Sequence, residues 1–396
     1  MKILFLSYYY YPPHFGGGLL HTIERLQEMV KRGHRVTVLT SGVSTGLILE
    51  QRHNYLIKRF LLFHSNSIFL RAINRLAFFI KATCELLSNR YDLIQFGPLP
   101  GINEFSSSLI GLFFIKLVHL KKSKALILYS LAESETDPFI IRGFTKKIRL
   151  SFFKQIDTVV VNSPLLYNDM RNKIGTNVKL ILNGADDSTF KPDLKQREII
   201  RNENNISNEA IVFIFIGTLS KRKGVDLLVD GFDELSNTYP EVHLWLIGPS
   251  SNQENQNVTD FEFESVLNKI NQNPKIKSWG RIDNRTFLAS LLAAGDIFVF
   301  PTLREGMPMA PLQAMASGMP LIISLIPGVT DIANIQDETG IFIKPGNKED
   351  LVKAMMKLAA DKNLRNQMGI NSRKRIEQEF SWKKHVDNWE NIYLGK

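Results

Sequence analysis

Cysteine is nearly absent from this chain. Its 396 residues include one, Cys84, which excludes an intrachain disulfide and a cysteine-built structural zinc site. Such scarcity fits a reducing compartment, the cytoplasm, and a lone small thiol reads as an apolar core residue. Long hydrophobic runs are missing too. No stretch of 18 or more residues is continuously apolar, so no membrane-crossing helix is predicted. The opening MKILFLS reads as a buried strand rather than a signal peptide. Internal repeats and low-complexity tracts are absent, which excludes solenoids and disordered arrays. No Asp-x-Asp pair occurs, so a metal-phosphate bridge has no obvious carboxylates and no metal is expected. Acidic residues are scarce in one half only. Residues 1–190 carry 24 Lys+Arg against 13 Asp+Glu, whereas residues 191–396 carry 25 against 26. The basic half suits an anionic partner, and its mixture of apolar and basic residues favours a membrane surface over nucleic acid, for which no reader motif is found.

What is present is an alternation of short apolar runs with longer amphipathic ones. Strands are predicted at Ile3–Ser7, Arg35–Thr40, Asp92–Gln95, Ala125–Ser130, Thr158–Asn162 and Val178–Leu182. A second set is predicted at Ile211–Gly217, His243–Ile247, Ile276–Trp279, Ile297–Pro301 and Leu321–Ser324. Helices are predicted between them, at Leu19–Arg32, Val225–Thr238, Thr286–Ala294, Met309–Ser317 and Lys348–Ala360. Apolar strands separated by helices imply parallel sheets covered on both faces, hence two doubly wound α/β units. The polar stretch Asn183–Ser207 reads as the linker, and Ser381–Tyr393 as a terminal amphipathic helix. Two segments mix apolar and basic residues, Leu56–Leu87 and Leu109–Lys124, and read as basic amphipathic helices.

Three glycine- or cation-bearing loops carry candidate chemistry. Gly16-Gly17-Gly18 precedes a helix whose N-terminus favours a phosphate. GTLSKRKG, Gly217–Gly224, places Lys221, Arg222 and Lys223 after a strand, where open α/β sheets bind ligands. PTLREGMPMAPLQAMASG, Pro301–Gly318, follows another strand. Gly306 and Pro308 force an irregular loop there, Pro311 is tolerated in the first turn of the helix, and Gly318 closes it. Amides of Met307–Ala310 would meet an anion, with Glu305 on the loop and Gln313 one turn into the helix.

These segments, with RGHRVTVLT, IDTVVVNSPLL, LNGADDSTFKP, LWLIGP, WGRID, PGVTDI and ETGIFIKPGNKEDL, resemble the family-4 retaining glycosyltransferases. The resemblance implies the GT-B fold: two facing Rossmann-like doubly wound parallel-sheet domains. Residues 1–190 would bind acceptor, residues 191–380 would bind the nucleotide-sugar donor, and residues 381–396 would pack back toward the first domain. Gly17 and Gly18 would approach the donor phosphate. Lys223 would bind the pyrophosphate with Arg222 beside it, and Glu305 would hold hydroxyls of the transferred sugar. Gly306, Met307, Pro308 and Met309 would cradle sugar and phosphate. Gln313 would hold the ribose, and Ile282 would sit near the base.

Three departures stand out. The family's Glu-x7-Glu reads Glu305-x7-Gln313, and a neutral amide still bonds a ribose diol. Thr218 stands where an arginine is usual. A histidine usual after the strand at Ala125–Ser130 is absent, leaving Glu133 and Glu135 as acceptor-side candidates; His14 and His21 read as packing or surface residues. The resemblance implies transfer of a hexose from a UDP-sugar to a lipid-linked or surface-polysaccharide acceptor, with retention, no cofactor and no metal. The enzyme would be cytoplasmic and peripheral on the inner membrane face. A degenerate, non-catalytic sugar-binding subunit and a GT-B-like UDP-sugar epimerase are the alternatives.

Overall fold

The structure is a computed structural model. It describes residues 1–8, 17–42, 46–63, 67–97, 99, 104–120, 126–131, 144–175, 177–250 and 261–396. These form two compact units, Met1–Leu182 with Val386–Lys396, and Asn183–His385.

The first unit is an eight-stranded sheet built from β1 (Lys2–Leu6), β2 (Arg35–Ser41), β3 (Gly46–Arg52), β4 (Tyr55–Leu61), β5 (Leu93–Phe96), β6 (Leu126–Leu131), β7 (Thr158–Val161) and β8 (Val178–Leu180). Their order is β3-β4-β2-β1-β5-β6-β7-β8, and every pair is parallel except β3 with β4. Helices α1 (Gly17–Lys31), α2 (Ile68–Ser88), α3 (Glu104–Leu120), α4 (Phe144–Lys154) and α5 (Pro164–Ile174) connect them. Strands such as β5 and β1 are buried nearly throughout because both of their faces meet helices. The core joins Leu4, Leu6, Phe78, Phe96, Phe114 and Phe153.

The edge hairpin corrects the reading of Leu56–Leu87 as one basic amphipathic helix. Its first part is β4, whose residues alternate inward and outward with period two: Tyr55, Ile57 and Arg59 are buried. Arg59 is the reason the charge pattern misleads. Its guanidinium turns inward and donates to Glu50 of β3 at 2.5 Å. The helix begins only at Ile68. Cys84 is likewise not a core residue. It is exposed on α2, because Ala82 and Leu86 take the inward positions on either side. Lys121, Lys122 and Lys124 lie outside the described residues.

The second unit holds α6 (Leu194–Glu203), β9 (Ile211–Ile216), α7 (Val225–Thr238), β10 (Val242–Ile247), α8 (Phe261–Gln272), β11 (Ile276–Gly280), α9 (Arg285–Ala294), β12 (Ile297–Phe300), α10 (Met309–Ala316), β13 (Leu321–Ser324), β14 (Gly340–Ile343), α11 (Lys348–Ala360), α12 (Lys362–Glu379) and the start of α13 (Trp382–Tyr393). Its six strands are all parallel in the order β11-β10-β9-β12-β13-β14.

The stretch Asn183–Ser207 is not a bare linker, because α6 occupies its middle. Asp193 caps that helix by accepting from the Gln196 amide at 3.0 Å. Arg201 is fully buried and donates to Asp296 at 2.5 Å, while Arg197 donates to the other oxygen of Asp296 at 2.6 Å. Asp296 also accepts from the amide of Val212, the second residue of β9. A helix with little apolar periodicity is thus anchored by charge rather than by a hydrophobic stripe.

Helix α13 is divided, with Val386 onward belonging to the first unit. There the Arg25 guanidinium lies 3.4 Å from the Trp389 ring centre and donates to the Tyr393 hydroxyl at 3.0 Å. That hydroxyl donates to Gln95 at 2.7 Å. Burial pulls the Arg25 pKa down and pushes that of Tyr393 up.

Candidate functional site

In the second sheet, β9 is followed in the chain by β10 and β11 on one side, while β12, β13 and β14 lie on the other. The strand order therefore reverses between β9 and β12, and in open parallel sheets the carboxyl ends at such a switch point form a crevice for ligands. The loops leaving β9 and β12 contain GTLSKRKG and PTLREGMPM respectively.

The structure brings these loops into contact. Lys221–Lys223 forms one 3-10 turn closed by Gly224 at φ +70°. A side chain at Gly224 would place its first carbon 2.1 Å from the Pro301 carbonyl oxygen, so the close approach of the two loops requires glycine. The Leu303 amide donates to the Arg222 carbonyl at 2.9 Å. Lys223 Nζ then lies 2.5 Å from Glu305 Oε1, and Arg222 Nη1 lies 3.7 Å from the same oxygen. The Glu305 side chain is only 7% exposed, while that of Arg222 is 39% exposed. A carboxylate so enclosed needs its partners. Thr302, fully buried two residues beyond β12, supplies another by donating its hydroxyl to Glu305 Oε1 at 2.8 Å.

Beyond Glu305 the chain turns through Gly306, Met307 and Pro308 into α10, with Pro308 as its N-cap. Pro311 occupies the third helical position, where a missing N–H costs no hydrogen bond. The first-turn amides remain as donors aligned with the helix dipole. Met307 is buried rather than open. Its carbonyl accepts from the Asn183 side chain at 2.8 Å and its sulfur from the Asn183 amide at 3.0 Å. Gln313 is half-buried on α10, and Gly318 ends that helix at φ +78°. Ile282 sits half-buried in the loop after β11, beside the Arg281–Asp283 pair, on the same sheet edge.

Lys223, Arg222, Glu305, Gly306, Met307, Pro308, Met309 and Gln313 thus belong to two adjacent loops and the helix that leaves them. Gly17 and Gly18 are the first two residues of α1 in the first unit, so that helix starts before Leu19. Glu133, Glu135, His14 and Gly16 lie outside the described residues. His21 is buried. Sequence reasoning missed Thr302 and Asn183. Thr302 lies two residues beyond a strand end and Asn183 is the second residue of LNGADDSTFKP, so both had a positional signal.

Comparison with known proteins bears on this arrangement. The family description "Glycosyl transferases group 1" matches residues 196–375, and "Glycosyltransferase Family 4" matches residues 15–189. The chain belongs to the family-4 glycosyltransferases of GT-B fold. Among curated relatives of this family, mannosylfructose-phosphate synthase of Agrobacterium fabrum is 27% identical over 289 residues, 68% of this chain and 61% of the relative. UDP-Gal:alpha-D-GlcNAc-diphosphoundecaprenol alpha-1,3-galactosyltransferase of Escherichia coli is 25% identical over 219 residues, 55% of this chain and 54% of the relative. The match therefore spans about three-fifths or less of each relative's own length. Sucrose-phosphate synthase from Thermosynechococcus elongatus superposes with a TM-score of 0.80 at 19% identity, covering 100% of this chain and 98% of that one. Anabaena HepE in complex with UDP-glucose gives 0.76 at 16% identity, with both chains fully covered. These likenesses establish a GT-B fold with two parallel-sheet domains.

Proposed function

We propose that this chain transfers a hexose from a UDP-sugar to a lipid-linked or surface-polysaccharide acceptor, retaining the anomeric configuration and using no metal. The observation that carries the reading is the Lys223–Glu305 contact at the switch point, between two loops 82 residues apart. It pairs a cation suited to a diphosphate with a carboxylate suited to sugar hydroxyls. The UDP-glucose held by the HepE structure and the UDP-galactose named for the Escherichia coli relative support the donor class. The diphosphoundecaprenol in that relative's name supports a lipid-linked acceptor.

When the donor binds, its diphosphate draws the Lys223 ammonium from Glu305, and the freed carboxylate accepts from sugar hydroxyls. The bond between the anomeric carbon and the phosphate oxygen then breaks. Lys223, Arg222 and the α10 amides stabilise the negative charge that develops on the leaving diphosphate. The acceptor oxygen bonds the same face of the anomeric carbon and passes its proton to the departing phosphate oxygen. No side-chain base is needed, and no Asp-x-Asp motif is present to bridge a metal.

A thermal-shift screen with UDP-, GDP-, ADP- and TDP-sugars tests the donor. A ligand at about 100 times its Kd stabilises the native state by about 2.7 kcal/mol, so a UDP-sugar should raise Tm selectively. No shift with any nucleotide sugar would remove the donor site. The anomeric configuration of the product, read by NMR, tests retention.

A further inference from the structure

Between Glu305 and α10 the chain has little of its own to hold it. Gly306 has no side chain to pack, and Pro308 has no N–H to donate. Helical hydrogen bonding starts at the carbonyl of the N-cap, Pro308, whose ψ of 136° is extended. The Met307 carbonyl therefore lies outside the ladder of α10, yet Met307 is only 6% exposed. A buried carbonyl needs a partner from elsewhere. Asn183, 124 residues away and itself buried, supplies one through Nδ2 at 2.8 Å, and its backbone N–H donates to the Met307 sulfur at 3.0 Å. Only the nitrogen of that side-chain amide can donate to a carbonyl, so the bond fixes its orientation.

Asn183 is held in turn. It opens the second unit, and the residues after it lie along Phe380–His385 at that unit's other end. The Ala185 amide donates to the Phe380 carbonyl at 2.9 Å. A side chain at Gly184 would put its first carbon 2.7 Å from His385 Cβ. Further on, the same segment reaches the far end of α10. Arg373 Nη1 donates to the Phe190 carbonyl at 2.8 Å and to the carbonyl of Ala316, the last residue of α10, at 2.7 Å. Residues 183–190 thus fasten α10 at both ends, directly at its start and through Arg373 at its close. Met307 stands midway between Glu305 and Met309, the first helical residue. Fixing its carbonyl fixes both the direction of the amides that open α10 and the loop that carries the carboxylate. We infer that Asn183 is a positioning residue of the donor site, acting through Met307 to hold the α10 amides where the outer phosphate of a nucleoside diphosphate meets them. The inference rests on the donor reading above. A misplacement of about 1 Å in such groups can cost about 100-fold.

Dissociation constants of UDP and UMP, measured by titration calorimetry on the full chain, test it. UDP carries a second phosphate and UMP does not, so the gap between them reports the contacts to that phosphate. Asn183→Ala should raise the UDP Kd at least about tenfold, the worth of a charge-assisted hydrogen bond, and move the UMP Kd far less. Asn183→Leu keeps the volume but cannot donate; it should act alike, and it serves where the smaller residue does not fold. Ser372→Ala is the control. It deletes another buried side-chain bond of the second unit, to the Thr339 carbonyl at 3.0 Å, and should lower Tm comparably while leaving both affinities unchanged. An equal loss for UDP and UMP overturns the inference, because Asn183 would then serve the fold alone. The same loss in Ser372→Ala overturns it as well. A wild-type chain that binds neither nucleotide removes the donor reading and this inference together. Wild-type UDP binding that both Asn183 variants leave intact removes this inference only.

Discussion

Glu305 gathers the contacts between the two loops of the second unit in one side chain. It is enclosed, it receives Lys223 and Thr302 on a single oxygen, and Arg222 approaches the same atom. Lys223→Ala and Glu305→Ala should each lower kcat/KM at least about tenfold in a transfer assay. Lys223→Ala should also cost about 1–3 kcal/mol in urea unfolding, because it removes the nearest cation from a nearly buried carboxylate. Thr302→Val is a finer probe. It keeps the volume of a fully buried residue and deletes one hydrogen bond, worth about 1 kcal/mol. Wild-type kinetics in that variant would show that Glu305 needs no positioning by the hydroxyl. Lys223 and Glu305 were each legible as candidates, because both loops follow strand ends, where open α/β sheets bind ligands, and because the family resemblance implies their roles. Their contact was not, because nothing local records which strand lies beside which. Asn183 and Thr302 escaped notice for a related reason: a small polar residue announces a role only when its partner is known.

At the scale of elements, the loops of the site depend on a glycine hinge. Gly224 combines φ +70° with a carbonyl where a side chain would go. Gly224→Ala should therefore destabilise the unit by about 2 kcal/mol or more, read as a lower urea midpoint. A second element-scale prediction concerns α6. Asp296 receives Arg197, Arg201 and the Val212 amide, so Asp296→Ala takes the carboxylate from a fully buried guanidinium that then keeps only carbonyl acceptors such as those of Ala294, Ser207 and Ala210, and should cost about 3 kcal/mol. The segment containing α6 reads as linker because its helix is written in polar residues. Only the Asp193–Gln196 spacing, a capping signature before a helical turn, announces it. The β3–β4 hairpin is hidden by the opposite trick, a buried arginine in an alternating strand that mimics a basic helix face. Helices with a single apolar stripe, such as α7 and α11, match the sequence reading residue for residue.

For the molecule as a whole, the last turns of α13 belong with the first unit although they follow the second in the chain. Glu390 helps hold them there. It accepts from His34 at 3.0 Å and from Arg32 at 2.6 Å, and Asp387 pairs with Arg32 at 2.7 Å. Hydrogen bonds from His34 and then Arg32 hold the Glu390 pKa below its ordinary value, against the opposing pull of desolvation. A carboxylate with a depressed folded-state pKa adds stability above its unfolded value of about 4.3, and that contribution is lost as pH falls through the lower folded value. Glu390→Gln should thus lower stability by about 1 kcal/mol at neutral pH. It should also flatten the acid limb of a Tm-versus-pH curve; an unchanged limb would show that this contact carries no linkage.

The amino-acid sequence alone determined the alternation of strands and helices, the two doubly wound units, and the family, because periodicity and loop composition are local properties written residue by residue. Only the tertiary structure decided that Lys223 meets Glu305, that Arg201 anchors a polar helix, and that Asn183 holds the Met307 carbonyl. These depend on strand order and on which side of a helix its neighbours cover. Both are set by contacts between residues far apart in the chain, for which local pattern carries no record.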